Sequence, residues 1–157
     1  MDLLFFMLAS AAAASTGMFF RPGAWYRDLA KPPWRPPDWL FGPAWLVLYI
    51  CIAISGWLVW RQWGADGVGL ALAVFAVQLV LNALWSAFFF GLRRPDLAFI
   101  EVICLWLSII ATIVLFHPID EVAAYLLIPY ACWVTFASAL NFSIWRLNAE
   151  RWSRSVS

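Results

Sequence analysis

The chain has 157 residues, 65% of them apolar and 12% charged, with a net charge of +1. Soluble domains carry roughly 45–50% apolar and about 25% charged residues, so water could not solvate a fold of this composition, whereas a bilayer can. The near-zero charge, with basic residues scattered through short connectors, excludes a nucleic-acid-binding surface, and an odd number of cysteines inside apolar runs (Cys51, Cys104, Cys132) excludes a disulfide framework.

The first apolar segment covers about 3–20. Ala9-Ser10-Ala11 imitates a signal cleavage site, but the only charge ahead of it is Asp2 and the bulky run Leu3 to Leu8 is short, so the segment is read as a membrane helix. Within it Ala9, Ala13 and Gly17 form a stripe of small residues that permits close helix approach, either inside a bundle or in a dimer. Residues 21–42, RPGAWYRDLAKPPWRPPDWLFG, follow with five of the nine prolines and three of the twelve tryptophans. Proline removes amide donors and forces its predecessor toward extended geometry, so no continuous helix is expected here. The aromatic residues argue equally against disorder, leaving a folded cap on the membrane surface.

The second segment, 43–60, carries Trp45 near its loop-side end. The third, 68–91, places Gln78, Asn82 and Trp85 at i, i+4 and i+7 on one face, where the amides either bond across helices or meet a ligand. The fourth, 97–116, contains Glu101, either a functional intramembrane carboxylate or the partner of Arg93, Arg94 or a loop base. His117 closes that segment beside Pro118 and reads as an interfacial residue. In the fifth, 122–145, Trp133, Ala137, Leu140 and Asn141 share a face with room beside the Trp133 indole. Trp57, Trp60, Trp63, Trp145 and Trp152 lie at segment ends, where indoles anchor in the headgroups. Connectors at Arg61–Gly67, Arg93–Asp96 and His117–Glu121 are tight and favour antiparallel neighbours.

These segments predict an all-α integral membrane protein, a single domain over 1–157 built as a five-transmembrane-helix bundle with a Trp/Pro-rich first loop. Nine basic residues (Arg21, Arg27, Lys31, Arg35, Arg93, Arg94, Arg146, Arg151, Arg154) fall on the side of the long loop and only Arg61 on the other. In an inner membrane that bias places loop and C-terminus in the cytoplasm. The second segment starts on the loop side while the third and fifth end there, so Trp45, Asn82, Trp85, Trp133 and Ala137 converge beneath the loop. An aromatic chamber with a few polar groups and a lid suits a flat hydrophobic ligand. No nucleophile–base pair, metal-ligand cluster or phosphate loop is present, so neither metal nor cofactor is expected.

Three blocks carry a family resemblance: Trp25-Tyr26 through Lys31-Pro32-Pro33-Trp34-x-Pro36-Pro37-x-Trp39 to Pro43-x-Trp45; Gln78-Leu79-x-Leu81-Asn82-x-Leu84-Trp85 to Phe89-Phe90-Gly91; and Pro129-Tyr130-x-x-Trp133-x-x-Phe136-Ala137-x-x-Leu140-Asn141. They resemble the translocator protein/tryptophan-rich sensory protein family (TspO/MBR, the peripheral benzodiazepine receptor group), in the form of a bacterial member. The resemblance implies a five-helix bundle, usually a homodimer, in a bacterial membrane. It also implies a receptor or sensor of porphyrins such as protoporphyrin IX, of isoquinoline-type drugs and of sterol, acting in tetrapyrrole or stress responses. Carried over by position, its ligand contacts are Tyr26, Trp45, Asn82, Trp133, Ala137 and Leu140. The family's proposed cholesterol motif keeps Leu140 and Arg146 but has Phe142 in place of tyrosine, which weighs against sterol and toward porphyrin. Two alternatives accompany binding. One is light- and oxygen-dependent porphyrin breakdown using Trp34, Trp45 and Trp133. The other is porphyrin or sterol transport, which would normally show interrupted helices and paired charges.

Overall fold

A computed structural model describes residues 2–20 and 22–150, apart from the Met18 side chain. Arg21, Arg151, Trp152 and Arg154 therefore lie outside the described residues. Every regular element among those described is helical: α1 (Asp2–Phe19), α2 (Ala24–Arg27), α3 (Asp38–Trp60), α4 (Val68–Ser86), a π-helical turn (Ala87–Gly91), α5 (Pro95–Phe116), α6 (Glu121–Leu126) and α7 (Ile128–Leu147). Four stretches are long and apolar enough to cross a bilayer, namely Asp38–Trp60, Val68–Gly91, Pro95–Phe116 and Glu121–Leu147. The apolar part of α1, Asp2–Gly17, is shorter. The protein is an integral membrane protein with four helices of spanning length and α1 packed along α3 and α4.

Three boundaries differ from those read from the sequence. The helix expected from Pro43 starts at Asp38 and carries Pro43 inside it. At that position proline has no amide for the Trp39 carbonyl, and the helix continues past that one missing bond. The segment expected at 122–145 is two helices, broken at Leu127. Pro129 has no amide for the Tyr125 carbonyl, so the ladder is interrupted there. Asp120 caps α6, the first of the two, its carboxylate accepting from the Ala123 amide at 2.9 Å. The segment expected from 97 is α5 and begins at Pro95, in the first turn, where a missing amide is not required.

The half of the molecule away from the long loop is filled by close contact. Phe6 of α1 meets Phe75 of α4 at 6.0 Å, and Phe75 stacks on Phe116 of α5 at 5.7 Å. Gly56 of α3 faces both rings; a Cβ there would lie 2.6 Å from Phe75 Cζ and 2.8 Å from Phe6 Cδ1. Only a glycine allows this approach. In the stripe of small residues in α1, Ala13 is buried, Ala9 half-buried and Gly17 exposed, with the Ser86 hydroxyl of α4 beside it.

Candidate functional site

At the loop-side half the helices separate around a cavity of about 630 Å³. Its walls come from all the long helices: Ser10, Ala14 and Gly17 of α1, Trp45 and Tyr49 of α3, Asn82 and Trp85 of α4, Val102 and Leu105 of α5, and Trp133, Ala137, Leu140 and Asn141 of α7. Tyr26 and Pro22 close it from the loop. The seven residues named above from sequence, Tyr26, Trp45, Asn82, Trp85, Trp133, Ala137 and Leu140, thus border one space.

Large rings line that space in a mixture of stacked and edge-to-face contacts. Trp45 stacks on Tyr49 at 5.5 Å and meets Trp133 edge-on at 6.4 Å, while Trp85 stacks on Phe89 at 5.3 Å. Such pairs add about 0.5–1.5 kcal/mol each beyond area burial. The π-helical turn positions Phe89 and Phe90. The bond from the Leu92 amide to the Ala87 carbonyl (2.8 Å) closes a wider loop than an α-helix allows, and π bulges of this kind recur at functional sites.

Two polar networks cross the apolar walls. The Tyr49 hydroxyl donates to Asn82 Oδ1, and Asn82 Nδ2 donates to the Tyr130 hydroxyl at 2.7 Å, tying α3, α4 and α7 together. Trp85 Nε1 donates to Asn141 Oδ1 at 3.2 Å, and Asn141 Nδ2 donates to the Pro95 carbonyl at 2.7 Å. Asn82 is therefore already engaged at both ends, keeping one amide hydrogen and one lone pair for another partner. In contrast, the buried Trp133 Nε1 has no hydrogen-bond partner.

The cap is tied down by its backbone. Asn148, just past α7, accepts from the Ala30 amide at 3.0 Å and donates to the Ala30 carbonyl at 2.9 Å, with a further bond to the Ile144 carbonyl at 2.8 Å. Tyr26 is buried against Phe89 and Phe90, and the Lys31 ammonium lies 4.6 Å from its ring centroid. Burial raises the Tyr26 phenol above its ordinary value of 10.0, the nearby Arg35 opposing this, so the ring stays neutral. Burial, then repulsion by Arg35, lowers the Lys31 ammonium.

Other residues stand apart. Trp34 is half exposed and meets Phe136 at 5.7 Å outside the cavity. Of the sterol-motif positions only Leu140 borders the cavity. Phe142 is exposed, packing on Phe99 and Trp145, with the Arg146 guanidinium 6.0 Å from its ring centroid. Glu101 does not pair with Arg94, which binds Asp96 at 2.6 Å; it is 7% exposed and neither carboxylate oxygen has a partner. Asp96 is two residues from Arg94 and competes at no loop-closure cost. His117 ends α5 on the far side, edge-on to Tyr125. Among the described residues no cluster of His, Cys, Asp or Glu offers a metal site.

Sequence reasoning missed Ser10, Tyr49, Phe89 and Asn148. Tyr49 follows Trp45 by one helical turn and Phe89 follows Trp85 likewise, so extending each tryptophan face by four residues finds both. Asn148 carries no such signal, because a polar residue after a helix is ordinary.

Residues 4–146 match the family model described as the TspO/MBR family. Over 144 residues, covering 91% of this chain and 90% of the relative, the chain is 46% identical to Protein CrtK of Rhodobacter capsulatus. It is 42% identical to the tryptophan-rich protein TspO of Chlorobaculum tepidum over 82% of both chains. It is 34% identical to the human translocator protein over 91% of this chain and 88% of that one.

Proposed function

The chain belongs to the TspO/MBR family, and from that premise we propose that it is a membrane receptor whose loop-side chamber binds a flat hydrophobic ligand of the porphyrin class, with isoquinoline-type drugs and sterols as weaker occupants. One observation carries this reading: a cavity of about 630 Å³ walled by indole and phenyl rings in which a buried donor, Trp133 Nε1, has no partner. Its size falls in the range of about 300–1,000 Å³ usual for small-molecule sites. Trp45 and Trp133 provide perpendicular ring faces for stacking, Trp133 Nε1 donates to an acceptor on the ligand, and the spare Asn82 hydrogen gives a second polar contact. Met7 of α1 with Leu46 and Ile50 of α3 border the chamber and are exposed, so entry runs from the lipid side between these helices. Tyr26 and the pinned cap retain the ligand once it is inside.

In this reading α1 is a fifth span. Its 18 residues rise about 27 Å, close to the hydrocarbon thickness. The loop and C-terminus face the cytoplasm if the membrane is a bacterial inner one, and the functional unit is a homodimer. Light scattering in detergent tests the last of these. Titration of protoporphyrin IX against the wild type, Trp133→Ala and Asn82→Ala tests the chamber. Loss of a stacking face or a polar contact is expected to weaken binding roughly tenfold, equivalent to about 1.4 kcal/mol; unchanged affinity in both variants overturns the assignment.

A specific chain of rings favours a second reading. Trp45, Trp133, Phe136 and Trp34 follow one another at 6.4, 5.7 and 5.7 Å, from the chamber to the exposed loop surface. Such a chain could pass electrons to a photoexcited porphyrin, making the chamber a site of light- and oxygen-dependent breakdown. Illumination with wild type and with Trp34→Phe, Trp45→Phe or Trp133→Phe distinguishes the two: bleaching no faster than that of free porphyrin leaves a receptor. Transport predicts saturable, protein-dependent porphyrin flux into liposomes, and its absence removes that alternative.

A further inference from the structure

Ser10, at the edge of the chamber, and Gln78, buried one turn below the Asn82 that walls it, carry polar groups that the packing of the protein leaves unused. Ser10 borders the cavity and is 2% exposed, yet its hydroxyl has no partner. Gln78 is 1% exposed, and neither its Oε1 nor its Nε2 is hydrogen-bonded. The two side chains stand at one level. Phe6 touches Phe75 across α1 and α4; Ser10 is one turn above Phe6 and Gln78 one turn above Phe75, both toward the loop. Gly17 and Ser86 meet farther along, at the same interval on both helices, so the register holds through the level of the polar pair. Below it the Phe6, Phe75 and Phe116 rings close against Gly56. Above it, one turn along the same face of α4, is Asn82, whose amide is engaged by Tyr49 and Tyr130.

Unpaired buried polar groups are costly in protein interiors and more so at membrane depth, where water does not substitute. Three unsatisfied atoms on two packed helices, between the sealed aromatic floor and the Asn82 level at which the chamber opens, mark a place where a polar group is supplied from outside the chain. We propose that Ser10 and Gln78 form the deep polar subsite of the chamber, receiving a neutral hydroxyl-type group at the buried end of the ligand. This rests on the receptor reading above. The chemistry follows from the donor and acceptor inventory: Gln78 Oε1 accepts, Gln78 Nε2 donates, and Ser10 does either, which matches a group that both gives and takes a hydrogen bond. A carboxylate does not match, since a charge at this depth is expensive and neither side chain offsets it. Among flat hydrophobic ligands of the kind proposed above, the subsite thus favours one that carries a neutral donor–acceptor group at the end opposite the acceptor that meets Trp133.

The test compares two flat fluorescent probes, 1-pyrenebutanol and 1-butylpyrene, which differ by that hydroxyl. Their affinity ratio is measured by quenching in wild type, Ser10→Ala and Gln78→Leu; comparing ratios across variants cancels the different partitioning of the probes into detergent. One hydrogen bond corresponds to roughly three- to tenfold in affinity, so the preference for the alcohol is expected to fall by that factor in each variant while butylpyrene binding holds. Thermal unfolding of the empty protein is expected to be unchanged or raised in Gln78→Leu, because no internal bond is lost. A ratio that stays the same in both variants, as it would if trapped water rather than ligand satisfied these atoms, overturns the subsite. So does a marked loss of stability in empty Gln78→Leu, which would make the amide structural. If protoporphyrin IX and both pyrenes fail to bind the wild type at all, the receptor reading itself falls; binding of both pyrenes with an unchanged ratio removes only the deep subsite.

Discussion

The two halves of the bundle use aromatic residues in opposite ways. Away from the long loop, Phe6, Phe75 and Phe116 pack face and edge against Gly56, and no space remains between them. Beneath the loop, Trp45, Tyr49, Trp85 and Trp133 are as large or larger, yet they surround about 630 Å³ of cavity. The difference lies in what stands opposite each ring. In the first half a glycine lets the ring enter a neighbouring helix; in the second, rings and bonded amides face one another and hold the helices apart. Aromatic content alone therefore does not distinguish a packed core from a binding site.

The contrast breaks most forcefully at Gly56. Gly56→Leu drives a side chain into Phe75 and Phe6 and is expected to cost about 3 kcal/mol or more, read as a lowered melting temperature, while protoporphyrin affinity well below that temperature stays near wild type. An equal collapse of affinity would show that the halves are not separable. Next is Asn82→Leu, which leaves the Tyr49 and Tyr130 hydroxyls facing an apolar group. It is expected to cost about 1–2 kcal/mol in stability and also to weaken binding, because the network shapes the chamber. The double variant Asn82→Leu/Tyr130→Phe should recover part of the stability but not the binding.

Asn148→Ala acts chiefly on the cap, losing one bond to the Ile144 carbonyl of α7 besides. It removes the two bonds that hold the Ala30 backbone to the end of α7 and is expected to accelerate ligand release roughly tenfold, at about 1 kcal/mol or slightly more, with little change in melting temperature. Stopped-flow dissociation of porphyrin measures it. The smallest effect concerns Tyr26. Its phenol holds its proton more tightly in the buried, docked loop than in an undocked one, so docking is fully favoured below pH 10.0 and weakens as pH rises above that value. Ligand release should quicken above pH 10.0 in wild type and less so in Tyr26→Phe, where of the pair only Lys31 still titrates.

Much of this arrangement was legible in the sequence. The apolar segments, the punctuation between them and the alternating direction of the helices were enough to bring Trp45, Asn82, Trp85, Trp133 and Ala137 to one end of the bundle, because helix register is local and topology follows from short connectors. What was not legible depends on distance between elements remote in sequence. Asn148 finds Ala30 across 118 residues. Glu101 ends without a partner because Arg94 has a nearer acid in Asp96. The split at Leu127 was signalled by Pro129, but a proline in an apolar run shows where a ladder is broken without showing whether the helix stops or merely bends.

Composition by itself determined the solvent: 65% apolar residues on a chain of this length require a bilayer, whatever the detailed fold. The spacing of aromatic and amide residues determined which faces look inward. Only the tertiary structure decided that one end of the bundle is solid and the other hollow. Whether two rings interlock or hold each other apart depends on the few tenths of an ångström allowed by whatever stands across from them, a glycine in one case and a hydrogen-bonded asparagine in the other.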